Sequence, residues 1–353
     1  MELLNEVLDN IGELDSETME KAQRRLDSLT KPLGSLGRLE NIIVQFAGIS
    51  KNFMPKIDQK KIIIMCSDNG VFEEGVSSCP KDVTSSVTQN FTRGFTAVNV
   101  LSKNAGADVI VVDIGVDDNI VNDKILNRKI RRGTDNIAKG PAMTREEAIH
   151  AIEVGIDIVK SQKEAGVNLL GTGEMGICNT TTSSAITAVL TGADVKDITG
   201  IGSGLSNSAF LNKVSVIEKA IIVNKPDKND PLDVLCKLGG FDIAGLVGCF
   251  LGAAYYRIPI FIDGFISAVA ALVATRLNSK VSDFILPSHG SSEPGSDLVL
   301  KELGKPAFLN LGMRVGEGTG AALAFCIVDA AYAAYTKMGT FDDAKIEQYV
   351  PQD

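Results

Sequence analysis

The chain has 353 residues, of which 44% are hydrophobic and 22% charged, and its formal net charge is −9. This length and composition supply a sizeable core, in one large domain or two smaller ones, and exclude a largely disordered chain. The negative charge argues against a general nucleic-acid surface, which needs a basic face, so any phosphate site must be built locally.

Two helices separated by a turn are predicted for the first 50 residues. Residues 17–29 have a helical pattern of apolar side chains, which the Gly- and Pro-rich segment KPLGSLGRLE (31–40) interrupts. Apolar residues at helical spacing then return from Leu39 to Phe46.

From about residue 60, short apolar runs alternate with helical patterns. The predicted strands are residues 61–66, 108–115, 167–171, 258–264 and 282–289, with a weaker sixth at 307–311. This alternation predicts an α/β fold with a parallel sheet covered by helices on both faces.

Polar and glycine-rich segments follow the predicted strands, and ligands in such folds bind beyond the carboxyl ends of the strands. We therefore expect one face of the sheet to gather residues 68–70, 171–179, 263–264, 289–295 and 312–320.

The segment GTGEMGICNTTTSSA (171–185) contains the spacing G-x-G-x-x-G at Gly171, Gly173 and Gly176. This spacing is found in dinucleotide-binding turns, which would make the chain an NAD-dependent oxidoreductase. However, Glu174 would place a carboxylate where a pyrophosphate lies, and Asp194, at the offset of the ribose-binding acid, does not follow a predicted strand. One phosphate held by backbone N–H groups and hydroxyls at a helix start fits better, and a Ser/Thr-rich helix cap remains the alternative.

Two further loops are candidates for the same phosphate. The segment GIGSG (200–204) offers backbone N–H donors and Lys213 a cation, although a flexible connector with a surface lysine explains them equally well. In HGSSEPG (289–295), Ser291 and Ser292 are candidates for phosphate or ribose, and His289 is either functional or an ordinary loop histidine.

A third glycine-rich loop carries a carboxylate. Glu317 lies between Gly316 and Gly318 at the start of an alanine-rich helix, where flanking glycines permit close approach of a ligand. A buried glutamate can act as a general base, although a carboxylate at a helix start is often only a favourable partner of the helix dipole. We predict that Glu174 and Glu317 act as a general-base and positioning pair.

Cysteines and apolar runs limit the remaining possibilities. None of the six scattered cysteines forms a C-x-x-C pair, and the chain has only two histidines, so no zinc site is expected. Free cysteines and an acidic start without signal-peptide features predict a cytoplasmic protein. The apolar region 243–277 is divided by Arg257 and Asp263 into stretches too short for a membrane span, and predicts a buried helix, strand and helix.

Taken together, seven segments resemble the nicotinate-nucleotide:dimethylbenzimidazole phosphoribosyltransferase family, in the family's order and across nearly the whole chain. They are KPLGSLGRLE (31–40), EEGVSSCPKDVT (73–84), GTGEMGICNTTTSSA (171–185), GGFDIAGLVG (239–248), IDGFISAVAAL (262–272), PSHGSSEPG (287–295) and LGMRVGEGTGAALA (311–324). The resemblance implies a large Rossmann-like α/β domain (56–324) with a six-stranded, mainly parallel sheet. It also implies a small helical domain built from 1–55 and 325–353, and a homodimer.

The resemblance further implies transfer of ribose 5-phosphate from nicotinate mononucleotide to a benzimidazole-type base, with no metal or cofactor, in assembly of the cobalamin lower ligand. It makes Glu317 the general base and Glu174 a second catalytic carboxylate that supports the base or ribose site. The residues implied to hold the nucleotide and its phosphate are Gly176, Asn179, Thr180, Gly202, Ser203, Gly204, Lys213, Ser291 and Gly320. Those implied to line the base pocket are Ser77, Cys79, Val87, Met175 and Arg314.

Two positions depart from a commoner version of this family. The first predicted strand ends in SDNG (67–70) where an Ala-Asp-His-type sequence is expected, and Val87 stands where some relatives have a polar residue. Both lie on the side expected to face the incoming base. The preferred base therefore stays open among benzimidazole, dimethylbenzimidazole, adenine and phenolic bases. A regulatory module that binds a nucleotide without turnover is the remaining alternative to an enzyme.

Overall fold

The structure is a computed structural model that describes residues 2–202 and 204–348. Within these residues, all the strands belong to a single parallel sheet with the order β3-β2-β1-β4-β5-β6. The strands are β1 (Lys60–Ser67), β2 (Ala107–Gly115), β3 (Ile125–Asn127), β4 (Leu169–Met175), β5 (Ile260–Ile262) and β6 (Ile285–Pro287). This confirms the predicted six-stranded α/β fold. The strand order reverses between β1 and β4, the point at which such sheets bind ligands.

Helices cover both faces of the sheet. In the described part of the chain they are α1 (Glu2–Asn10), α2 (Ser16–Ser28), α3 (Arg38–Ser50), α4 (Val83–Asn90), α5 (Ala97–Asn104), α6 (Arg145–Glu164), α7 (Asn179–Thr191), α8 (Val195–Ile198), α9 (Asn207–Asn224), α10 (Pro231–Leu238), α11 (Phe241–Tyr256), α12 (Phe265–Leu277), α13 (Gly295–Glu302), α14 (Thr319–Lys337) and α15 (Phe341–Ala344). The apolar region 243–277 forms α11, β5 and α12, which confirms the predicted buried helix, strand and helix.

The predicted sixth strand at 307–311 is wrong. That segment makes only an isolated bridge, between Leu309 and His289, and the remaining strand of the sheet is β3. β3 has three residues, pairs on one side only and is flanked by charged residues, so its apolar run was too short to be recognised. β4 also continues through Met175, whereas its predicted end was Gly171.

The two ends of the chain meet in a separate apolar cluster. Side chains of α2, α3 and the second half of α14 bury one another there, with Leu26, Ile43 and Tyr335 at most 1% exposed. α1 instead packs on α6 and α11 against the main core. The division at residues 55/56 and 324/325 stays a prediction, since α14 runs through residue 325 without a break.

One helix among the described residues, α14, is long and apolar enough to cross a membrane by length and composition. Half of it is buried, and it packs against α3, α5 and β4. Core helices of globular proteins also meet this length and composition criterion, so it is weak evidence for a membrane span.

Candidate active site

A cleft of about 300 Å³ opens beyond the carboxyl ends of β1 and β4, at the point where the strand order reverses. Segments that follow β1, β4, β5 and β6 contribute to its walls, together with the loop that precedes α14. It brings together most of the residues predicted for the site: Ser77, Val87, Glu174, Met175, Gly176, Asn179, Thr180, Gly202, Lys213, Ser291, Arg314 and Glu317.

Glu174 is part of β4 and only 7% exposed. The Asn179 side-chain amide, at the start of α7, donates to Glu174 Oε2 and also to Asp242 Oδ2, the latter at 3.0 Å. Burial, and next the charge of Asp242, raise the pKa of Glu174 to about 8. Burial raises the pKa of Asp242 to about 6. Glu174 is therefore largely protonated at neutral pH and able to donate a hydrogen bond to a ligand.

Glu317 lies opposite Glu174, in the loop that opens α14. Its φ of 62° is a left-handed conformation that non-glycine residues rarely adopt. The carboxylate of Asp263 holds this loop by accepting N–H bonds from Gly318 at 3.0 Å and from Gly320 at 2.7 Å. Burial, and then the charge of Asp263, raise the pKa of Glu317 to about 7, which is suited to a general base at neutral pH.

The first two glycines of GTGEMG allow β4 to pack closely against the Glu317 loop and the start of α14. A Cβ on Gly173 would lie 2.5 Å from the carbonyl oxygen of Glu317, and one on Gly171 would lie 2.9 Å from Cβ of Ala321. Both glycines are inside the strand and not in a phosphate-binding turn, and Asp194 caps the short helix α8. The dinucleotide interpretation is therefore wrong. Its spacing arises from close backbone packing.

Gly173→Ala tests this packing. The added methyl group displaces the Glu317 loop, and a misplacement of about 1 Å can reduce activity by about 10²-fold. We expect kcat/KM to fall by that order, with a stability loss of about 1–3 kcal/mol. Gly140→Ala is the control, because its Cβ would meet nothing within 4 Å. Wild-type kcat/KM in Gly173→Ala would contradict the argument, and thermal unfolding separates misplacement from loss of fold.

Part of the cleft wall carries a buried cation. Lys213, on α9, is 1% exposed and donates to Thr180 Oγ1 and to the carbonyl oxygen of Gly200, both at 3.0 Å. Burial lowers the pKa of Lys213. Gly202 and the N-terminal residues of α7 border this ammonium group. The buried cation and adjacent backbone form a setting in which a phosphate is favourable.

Another part of the cleft wall is mainly apolar. Its lining comes from the segment after β1, from α4 and from the end of β4, through Val76, Val83, Val87, Met175 and Ile177. Ser77 also reaches the cleft, with its hydroxyl donating to the carbonyl oxygen of Cys79 at 3.3 Å. Apolar linings with a few polar groups are typical of small-molecule sites.

Three predicted residues do not line the cleft, namely Cys79, Gly204 and Gly320. Gly320 donates its N–H to Asp263 instead, and a Cβ there would overlap His289, so it shapes the Glu317 loop from behind. Ser203 lies outside the described residues. In α7, Thr181, Thr182, Ser183 and Ser184 are fully buried, and only the first two residues of the polar run, Asn179 and Thr180, reach the cleft.

Several cleft residues were not predicted individually as catalytic or ligand-binding residues. They are Val76, Val83, Ile177, Cys178, Ile201, Leu205, Gly264, Phe265, Ile266, Glu293, Val315 and Gly316. Glu293 lies in HGSSEPG, where its charge was visible but its burial was not.

The structure also shows the contacts of two acids to which the sequence assigned no role. Asp263 accepts backbone N–H groups of the Glu317 loop, and Asp242 shares the Asn179 amide with Glu174. Among the described residues, no group of three or more His, Cys, Asp or Glu side chains could hold a metal ion.

Sequence and fold place this chain in a known class of transferases. A family model described as phosphoribosyltransferase matches residues 11–346. The nicotinate-nucleotide–dimethylbenzimidazole phosphoribosyltransferase of Acetivibrio thermocellus is 63% identical over 99% of this chain and 100% of its own length. The protein of the same name from Ruminiclostridium cellulolyticum is 62% identical over 98% of both chains. The chain therefore belongs to the nicotinate-nucleotide–dimethylbenzimidazole phosphoribosyltransferase family.

A solved structure supports the same assignment. The crystal structure of nicotinate-nucleotide–dimethylbenzimidazole phosphoribosyltransferase from Thermus thermophilus matches with a TM-score of 0.89 at 34% identity. It covers 95% of this chain and is itself covered in full. The likeness therefore extends over nearly the whole chain.

Proposed function

We propose that the chain transfers ribose 5-phosphate from nicotinate mononucleotide to 5,6-dimethylbenzimidazole or a related base, giving an α-riboside phosphate (α-ribazole phosphate) and nicotinate for the cobalamin lower ligand. The observation that carries the proposal is the placement of Glu317, whose pKa lies near neutrality, in a cleft that is lined by both apolar side chains and a buried lysine.

The reaction is a displacement at C1′ of the ribose. The bond from C1′ to the pyridinium nitrogen breaks and its electrons neutralise the ring, while a nitrogen of the incoming base forms the new bond from the opposite face. The N–H proton of the base passes to Glu317, which must be ionised to accept it. Holding the two reactants in line lowers the entropic part of the barrier.

Charge in the cleft supports this chemistry. Positive charge on the pyridinium ring moves towards the ribose as the bond breaks, and the carboxylates of Glu317, Asp263 and Asp242 lie in or directly behind the cleft. Fixed negative charges facing a cationic transition state stabilise it without reorganisation. Protonated Glu174 donates a hydrogen bond to the ribose or the base, and Lys213, Thr180, Gly176, Gly202 and Ser291 bind the phosphate.

The proposal includes a homodimer in the cytoplasm. Phe95, Val100 and Val121 are 60%, 57% and 98% exposed, and Asn122 contacts Thr92, so these apolar side chains lie on neighbouring segments suited to cover by a second copy. All six cysteines are free thiols, which fits a reducing compartment. The molecular mass in solution tests the dimer.

A product assay tests the function. The purified protein is mixed with nicotinate mononucleotide, a chelator and a panel of bases (dimethylbenzimidazole, benzimidazole, adenine and a phenol), and released nicotinate and new riboside phosphate are measured by mass. We expect product with a benzimidazole, because Val87 and its neighbours form an apolar wall, and less with adenine. Nucleotide binding without product from any base would contradict transfer and favour a binding module. A reaction without protein is the control.

A further inference from the structure

Glu293 lines the cleft within the electrostatic reach of Lys213 but takes no part in the mechanism described above. It lies between β6 and α13 and is 9% exposed. Its Oε2 is buried and has no hydrogen-bond partner within the described residues. A buried carboxylate oxygen without a donor is costly, so this position calls for a ligand or a proton.

The surroundings of Glu293 indicate which ligand group it meets. A Cβ on Gly200 would lie 1.9 Å from Glu293 Oε2, and the carbonyl oxygen of Gly200 accepts from the Lys213 ammonium at 3.0 Å. The charged groups that act on Glu293 are Lys213 from α9 and Arg314 from the loop before α14. Both also line the cleft. Glu293 therefore shares the cations that an incoming phosphate would use.

An ionised Glu293 and a bound phosphate compete for the positive charge of Lys213 and Arg314, which raises the electrostatic free energy. Burial already raises the pKa of Glu293, against the lowering effect of Lys213 and then of Arg314. A phosphate dianion bound beside it takes up the positive charge of those side chains and adds like-charge repulsion, which favours the protonated acid. The protonated carboxyl group can then donate a short O–H···O bond to a phosphate oxygen.

We propose that Glu293 is a substrate-binding residue that takes up one proton when the nucleotide binds and donates a hydrogen bond to its phosphate. This inference rests on the proposed function, because it assumes that the nucleotide phosphate binds at Lys213. Binding of the nucleotide is then linked to proton uptake. Because the pKa of Glu293 is higher in the complex than in the free protein, affinity is full below the pKa of the free protein, falls by about tenfold per pH unit between the two pKa values and is constant above the pKa in the complex.

Calorimetry with nicotinate mononucleotide at pH 7.5, in two buffers of different ionisation heat, measures the protons taken up on binding. Glu174 and Glu317 also titrate in this cleft, so wild type is compared with Glu293→Gln, which keeps a donor but cannot gain a proton. We expect proton uptake in wild type to exceed that in Glu293→Gln by up to one proton. We also expect the affinity of Glu293→Gln to depend less on pH.

A second comparison uses only the wild-type protein, with nicotinate riboside as a ligand that lacks the phosphate. We expect more protons to be taken up with the nucleotide than with the riboside. The inference would be overturned by equal proton uptake with both ligands, or by equal proton uptake in wild type and Glu293→Gln. Normal turnover in the same preparations would still leave the proposed function intact. Equal weakening of riboside and nucleotide in Glu293→Gln would assign Glu293 to the ribose instead. Absence of nucleotide binding to wild type would remove both proposals.

Discussion

Glu317→Gln should lower kcat by a factor of about 10²–10⁴ and leave the fold unchanged, since general-base catalysis contributes on that order. The glutamine has the same size and keeps the hydrogen-bonding side chain in the cleft, but it cannot accept the proton of the incoming base. Steady-state kinetics with nicotinate mononucleotide and dimethylbenzimidazole measure the loss. Glu302→Gln, on the surface of α13, is the matched control and should keep wild-type kcat.

The pH dependence makes the same prediction more specific. The raised pKa of Glu317, about 7, means that the active ionised form is lost as the pH falls through that value. Wild-type kcat should therefore rise as the pH passes about 7 and fall again above about 8, where Glu174 loses the proton that it donates. The residual activity of Glu317→Gln should lack the rising step. A variant that retains both its turnover and the step would remove Glu317 from the role of base.

Lys213→Met should raise the KM for the nucleotide by about tenfold to a hundredfold, because a hydrogen bond to a charged group is worth about 1.5–3 kcal/mol. Methionine keeps most of the buried volume and lacks the ammonium group. The KM for the base should change much less, which separates a phosphate contact from general damage. Lys219→Met, at an exposed position of the same helix, is the control. Equal changes in both KM values would place the phosphate elsewhere.

Patterns of apolar residues predicted the long elements of the fold, because a buried strand or helix leaves a clear period in the sequence. β1, β2 and the α11–β5–α12 unit follow from such runs. β3 does not, because three residues at a sheet edge carry too little apolar surface to form a recognisable run. The segment 307–311 has a suitable run, but the sequence does not show that it lacks a continuous partner.

The candidate site was predictable where a glycine-rich segment carries a charge, as at Glu174 and Glu317. The interactions between segments were not. Asp263 precedes the Glu317 loop by more than fifty residues, and only the folded chain shows it accepting backbone N–H groups there. The burial of Glu293 is likewise a tertiary property, since α9 and the loop before α14 supply its neighbours.

Helix α14 connects the reaction centre to the ends of the chain. It begins directly after the Glu317 loop and, at 19 residues, extends about 28 Å before its second half enters the cluster of α2 and α3. Because α14 is packed at both ends, we expect a displacement of its second half to be transmitted to its first turn. Removal of α2 is therefore expected to displace the Glu317 loop as well as to destabilise the apolar cluster, although α2 makes no contribution to the lining of the cleft.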